Sequence, residues 1–315
     1  MLPGVSAIAD AVTTGSFRAG WAIVRWLPER TAYTLFEAAA DLTHARGGKG
    51  VERLRSNYAR VRPDLDPVAL DELVRDGLRS YLRYWCDAFR LPNLTPEQIL
   101  ERARCEGDGP VRAELAAGRP VLAFLGHMGN WDMAGAWGTV DLGPVVTVAE
   151  RLKPEEVYAE FLAFRESLGM RILPLTGGGN VMALLREALR EPIVLPLLAD
   201  RDLTRGGIPV TLLGHDASVA AGPAALAVAS GATLFPVSIH YETAPDLPSG
   251  WRTVIRFLDP VPDPRSGTTR DRVTAMSQGC ADALSAAILE HLVDWHMMQR
   301  VFTDDLEPRG TKVSA

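Results

Sequence analysis

The chain has 315 residues, long enough for an α/β enzyme with one core, and a net charge of −6, which speaks against nucleic-acid binding. Its mean hydropathy of +0.03, with 47% apolar residues, suits a globular enzyme with some greasy surface. Charge is uneven: residues 1–62 hold nine Lys/Arg against five Asp/Glu, which leaves the remainder at −10. A basic front end on an acidic body is what an anionic membrane attracts.

Residues 5–45 predict two helices broken near Pro28, with Phe17, Trp21 and Val24 on one stripe and Arg18 and Arg25 off it. A basic helix over 51–62 ends at Arg62-Pro63. Asp66-Pro67 then opens a helix over 67–90, in which Leu70, Val74, Leu78 and Leu82 step by four beside a row of Arg75, Arg79 and Arg83. Pro92 stops it, and Thr95-Pro96 starts the next. From 120 onward the pattern alternates. Strands are expected at 120–125, 144–149, 171–175, 193–198, 208–213, 233–240 and 252–258. Helices are expected at 130–138, 154–168, 180–190, 222–230 and 269–293. This predicts an α/β fold: a central, mostly parallel or mixed β-sheet flanked by helices on both faces, one domain over 1–315, with a loose tail from 307. The longest stretch without an ionised side chain, 217–239, contains Gly222-Pro223, Gly231 and Pro236. It reads as a helix followed by a strand and not as a membrane span, so membrane contact is expected to be peripheral. Cys86, Cys105 and Cys280 form no pair with metal or redox spacing, which suggests buried thiols in a reducing compartment.

The segment GHMGNWD at 126–132 carries the first chemistry. A buried strand ends at Leu125, a glycine turns the chain, and a helix starts near Asn130. Ligands of α/β sheets bind outside the carboxyl ends of strands, which is where His127 stands. Asp132, five residues on, can fold back to the imidazole and leave its other nitrogen as a base. No serine-hydrolase elbow, phosphate loop or zinc-protease pair is present. TGGGN at 176–180 reads as a tight turn first and an anion site second. Glu150 and Asp200 lie at two further strand ends, and Arg165 closes a helix. With His127 they predict a common mouth. Asp200 and Asp202 alternate along an extended segment, so only one of them can face His127.

The His127/Asp132 pair, DRDLTRGG at 200–207, AGPAAL at 221–226, SGATLFPV at 230–237 and DWHMM at 294–298 together resemble the bacterial lipid A biosynthesis acyltransferase family. TVAERLKP at 147–154, FRESLG at 164–169, YWCDAFRLP at 84–92 and the 200–205 block look most like its phosphatidylinositol mannoside branch. That branch can carry glutamate where this chain has Asp200. The resemblance implies a long-chain acyl-CoA as donor, no cofactor or metal, and a mannose hydroxyl of a membrane glycolipid as acceptor. It implies work at the cytoplasmic face of the plasma membrane. His127 is then the general base, oriented by Asp132 or Asp200, and Glu150, Arg165, Arg201 and Arg205 hold acyl-CoA or acceptor sugar. Backbone amides beside Gly126 or Gly129 are candidate oxyanion donors. The alternatives are another glycolipid acceptor, an acyl-carrier-protein donor, or a lipid-binding protein without catalysis.

Overall fold

A computed structural model describes residues 24–149, 155–174 and 181–305. Three helices come first: α1 (Glu29–Arg46), α2 (Lys49–Val61) and α3 (Pro67–Arg90). The break before α1 falls at Leu27-Pro28. Asp66 caps α3 by accepting from the N–H groups of Val68 and Ala69, and Pro67 follows it in the first turn, where no N–H is needed. Next come α4 (Pro96–Arg102), opened by a Thr95/Gln98 capping box, β1 (Ala103–Glu106), α5 (Gly109–Ala116), β2 (Val121–Leu125) and α6 (Trp131–Asp141). Then follow β3 (Val146–Ala149), α7 (Glu155–Ser167), β4 (Arg171–Pro174), α8 (Val181–Ala188) and β5 (Val194–Leu198). The chain continues through β6 (Ile208–Leu212), β7 (His215–Val219), α9 (Gly222–Ser230), β8 (Thr233–Ala244), β9 (Gly250–Phe257) and α10 (Thr269–Glu290).

The central sheet has the order β1-β9-β8-β2-β5, parallel throughout except for the antiparallel β8–β9 pair. The parallel pair β3–β4 continues it beyond β5, through a bridge between Val145 and Val194. Each residue of β2 is buried, as a strand covered on both faces must be. Alternation along it divides the core. Leu122 and Phe124 join the cluster that includes α2, α9 and α10, while Val121, Ala123 and Leu125 join the one beneath α4, α5 and α6. Helices therefore cover both faces.

Two departures from the pattern-based expectation matter. The segment 103–116, which carries no strong periodicity, forms β1 and α5. β1 is an edge strand of four residues whose Arg104 and Glu106 bond to Glu242 and Arg256, so its stabilisation comes from charged side chains. The expected strand at 208–213 is half of a hairpin with β7, turned at Leu213-Gly214, both with positive φ as a two-residue hairpin turn demands. The hairpin stands apart from the main sheet and docks on α10, where Gln278 donates to the Thr211 carbonyl and accepts from its N–H.

The sheet's register positions the site. β2 and β5 end side by side, Leu125 opposite Leu198. β8 pairs with β2 only as far as Val237 and then runs on to Ala244. The edge that β8 shows beyond β2 receives the loop after β2 and the segment after α10.

Candidate active site

His127 occupies the turn after β2, and Asp200 the position two residues after β5. Because those strands end in register, the two side chains meet. Asp200 is fully buried, and its Oδ1 lies 2.5 Å from His127 Nδ1. Its Oδ2 accepts from the His127 backbone N–H at 2.9 Å and from Trp295 Nε1 at 3.3 Å. One carboxylate thus holds the imidazole, the loop beneath it and an indole. Burial opposes the imidazolium, yet the Asp200 carboxylate overrides it, so the His127 pKa stands above the ordinary imidazole value, with Arg201 working against the rise. Burial likewise opposes the carboxylate, and His127 overrides that too, keeping the Asp200 pKa below the usual range.

The loop has little freedom. Gly129 has φ +54, and a Cβ there would stand 2.5 Å from the Ile239 carbonyl oxygen, so only glycine lets the chain pass β8 this closely. Its N–H donates to the Asp294 carbonyl. His296 N–H donates to the His127 carbonyl at 2.8 Å, and Met128 bridges Trp295. The segment 294–296 therefore lies alongside the loop like a short strand. Of the proposed oxyanion donors beside Gly126 and Gly129, the N–H groups of His127, Met128 and Gly129 already donate within the protein, to Asp200, Gly126 and Asp294.

Asp132 does not reach the imidazole, which corrects one of the two pairings that spacing allowed. As the second residue of α6 it points towards α3 and α7. Its carboxylate accepts from Arg165 Nε at 2.7 Å and Tyr84 hydroxyl at 2.9 Å. Burial works against the Arg165 cation, but Asp132 more than compensates, and its pKa is raised.

A cavity of about 370 Å3 opens over His127, whose side chain is 30% exposed. Tyr81, Tyr84, Trp85, Trp131 and Phe161 give it aromatic walls, and Arg165 and His296 add polar groups. With Nδ1 on Asp200, the His127 nitrogen left for chemistry is Nε2. Behind the wall runs a second hydrogen-bond chain. The Ser80 hydroxyl donates to Asp294 Oδ1 at 2.5 Å, so it accepts from His296 Nε2–H at 2.9 Å. His296 Nδ1 then has no partner among the described residues. Burial first, then Arg83 and His127, push the His296 pKa down to about 3, so this ring stays neutral. Trp131 also borders an apolar seam between α6 and the sheet, lined by Ala134, Trp137, Val237 and Ile255 among others. The seam holds about 40 Å3 of free space, so a chain entering it has to displace its lining.

Among the other expected residues, Arg165 lines the cavity and Arg201 and Arg205 do not. After Asp200 the chain turns away: Asp202 N–H pairs with the Ser218 carbonyl, Arg201 Nε donates to the Arg300 carbonyl, and Arg205 sits exposed in the turn before β6. Glu150 and the 176–180 turn lie outside the described residues. Ser80, Tyr84, Trp295 and His296 were not expected at the site. DWHMM and YWCDAFRLP were visible as motifs, but nothing in their spacing ties them to His127.

No helix among the described residues is long and apolar enough to cross a membrane, and no group of three metal-ligating side chains occurs among them. The sequence model of bacterial lipid A biosynthesis acyltransferases matches residues 13–304. The chain is 40% identical over 308 residues to the phosphatidylinositol mannoside acyltransferase of Mycolicibacterium smegmatis, covering 97% of this chain and 96% of that protein. It is 40% identical over 306 residues to the phosphatidylinositol mannoside acyltransferase of Mycobacterium tuberculosis, covering 96% and 92%. The chain belongs to the bacterial lipid A biosynthesis acyltransferase family.

Proposed function

We propose that this acyltransferase moves a long-chain, palmitoyl-like acyl group from acyl-CoA to a mannose hydroxyl of a phosphatidylinositol mannoside, at the cytoplasmic face of the plasma membrane. The observation that carries it is the buried Asp200 holding His127 Nδ1, with the rest of the ring facing a cavity that adjoins an apolar seam. His127 Nε2 takes the proton of the acceptor hydroxyl as its oxygen attacks the thioester carbonyl carbon. The C–S bond breaks, and the imidazolium returns its proton to the departing CoA thiolate. Aromatic walls suit stacking against a sugar ring. Arg165, fixed by Asp132, offers donors to the acceptor or the pantetheine arm, and Glu150 and the Gly126 amide remain proposed contributors. The apolar seam behind Trp131 takes the acyl chain once its lining side chains move apart. The names and identities of the relatives support the acceptor class. Incubation of full-length protein with radiolabelled palmitoyl-CoA and a phosphatidylinositol mannoside is expected to yield labelled glycolipid and an equal amount of free CoA. CoA release without labelled glycolipid would sink the acceptor assignment, and absence of both would sink the donor.

The same reading places the amino-terminal side on the membrane. Trp26 is 89% exposed, and Leu35 and Leu42, two helical turns apart on α1, are 52% and 50% exposed. Exposed Arg30 lies between Trp26 and Leu35 in sequence. Arg25, which lies off the apolar stripe in sequence, turns inward and donates to the Phe89 carbonyl. Phe17, Arg18 and Trp21 lie outside the described residues. Apolar side chains beside arginine suit an anionic interface. Replacing Trp26, Leu35 and Leu42 with serine is expected to reduce flotation with anionic vesicles and leave the melting temperature near wild type. Undiminished flotation would move the contact elsewhere.

A further inference from the structure

A second cavity, of about 390 Å3, lies against the neighbouring face of α3, between α1 and the turn joining β8 to β9. Three arginines line it, Arg30 from α1 with Arg79 and Arg83 from α3, against one carboxylate, Glu37. Arg79 is already paired: Asp41, which it shares with Arg75, accepts from its Nε and Nη2, both at 2.8 Å, and Asp76 lies 3.8 Å away. Arg30 and Arg83 have no carboxylate within ion-pair distance among the described residues. The Arg83 guanidinium rests 3.7 Å from the centre of the Trp251 ring and 4.9 Å from that of Tyr241. This stack fixes the plane of the fork while its N–H edges remain donors. A half-buried cation held this rigidly and facing a cavity, with buried Asp87 and Asp294 in electrostatic range but neither in ion-pair contact, still presents its N–H edges to an anion with several acceptor oxygens. The volume falls in the range of small-ligand sites, about 300–1,000 Å3. The proposed reaction does not use this space; Arg30 alone among its lining residues also belongs to the membrane-facing side described above.

We propose that the cavity between α1, α3 and the β8–β9 turn is a second binding site, which takes a phosphate ester on Arg83 and Arg30. The phosphate oxygens meet the two guanidinium groups, and the ester's carbon portion lies towards the Trp251 side. The same group can come from a soluble metabolite or from a lipid headgroup. The proposal does not rest on acyl transfer, and binding is measured without turnover.

Full-length protein is titrated calorimetrically with glycerol 3-phosphate, and with glycerol as the uncharged control. In parallel it is floated with phosphatidylcholine vesicles containing either phosphatidic acid or phosphatidylserine at matched surface charge. Glycerol 3-phosphate is expected to bind wild type and His127→Ala alike, and to lose about tenfold or more in affinity, or about 1.4 kcal/mol, in Arg83→Gln. Arg30→Glu, on exposed α1, is expected to show the same loss and keeps the test open if Arg83→Gln does not fold. If only phosphatidic acid vesicles bind above the phosphatidylserine level, and Arg30→Glu or Arg83→Gln removes that excess, the site stands and its ligand is a headgroup. Absence of both signals overturns the proposal. So does glycerol 3-phosphate binding that is unchanged in the two arginine variants or abolished by His127→Ala.

Discussion

His127→Ala is expected to lower acyl transfer by about 10²–10⁴-fold, the usual contribution of a positioned general base, while leaving the fold in place. The second half of that expectation comes from how the loop is held. The hydrogen bonds that fix it join its backbone: His127 N–H to Asp200, Gly129 N–H to Asp294, and His296 N–H to the His127 carbonyl. Alanine keeps all three. Asp200 loses one of its donors yet retains the His127 N–H and the Trp295 indole. The check is transfer rate together with melting temperature. A well-folded His127→Ala protein with wild-type transfer would remove His127 from the reaction.

Asp200→Asn is expected to cost a comparable factor, about 10²–10⁴, and also to move the pH profile in a direction fixed by charge. The neutral ring is the active form, so the rate falls as pH drops through the raised His127 pKa. Asparagine removes the carboxylate that raises it. Burial and Arg201 remain, and both lower it, so the acid limb shifts to lower pH even as the plateau drops. The asparagine amide can also donate to Nδ1, leaving the proton on Nε2, the wrong tautomer for a base. Asp202→Asn is the control: its Oδ1 caps the Thr204 N–H in the departing turn, and transfer should stay near wild type. An acid limb that stays put or moves up, or equal losses at 200 and 202, would contradict the pairing.

Much of this site was legible as strand ends. VLAFL before His127 and VLPLL before Asp200 are apolar runs closed by turns, and in a parallel sheet such turns collect at one edge. What a sequence does not carry is strand order. Nothing local says that β2 lies beside β5, and only that neighbourhood decides between Asp132 and Asp200. Spacing put Asp132 within reach. The start of α6 at Trp131 turns it towards Arg165 instead. The contributions of Ser80, Trp295 and His296 depend on contacts across more than two hundred residues or almost a hundred, as between Ser80 and His296 or Trp295 and Asp200. β1 escaped notice because four residues, half of them charged, at a sheet edge have no pattern to show.

The grip of Asp200 on His127 sets endurance and turnover against each other along the pH axis. A pKa raised by folding stabilises the protein below its unfolded value, and that contribution fades as pH climbs through the folded one. This is His127, whose ordinary value is 6.5. A pKa lowered by folding stabilises above its unfolded value and fades as pH falls through the folded one. This is Asp200, with an ordinary value of 3.8. Both contributions are complete between those two values, in mildly acidic solution, where the ring is charged and idle. Turnover begins only where the ring sheds its proton, so each step towards a working base loosens the pair that holds it. An assay buffer chosen for rate is then a poorer storage buffer than a mildly acidic one.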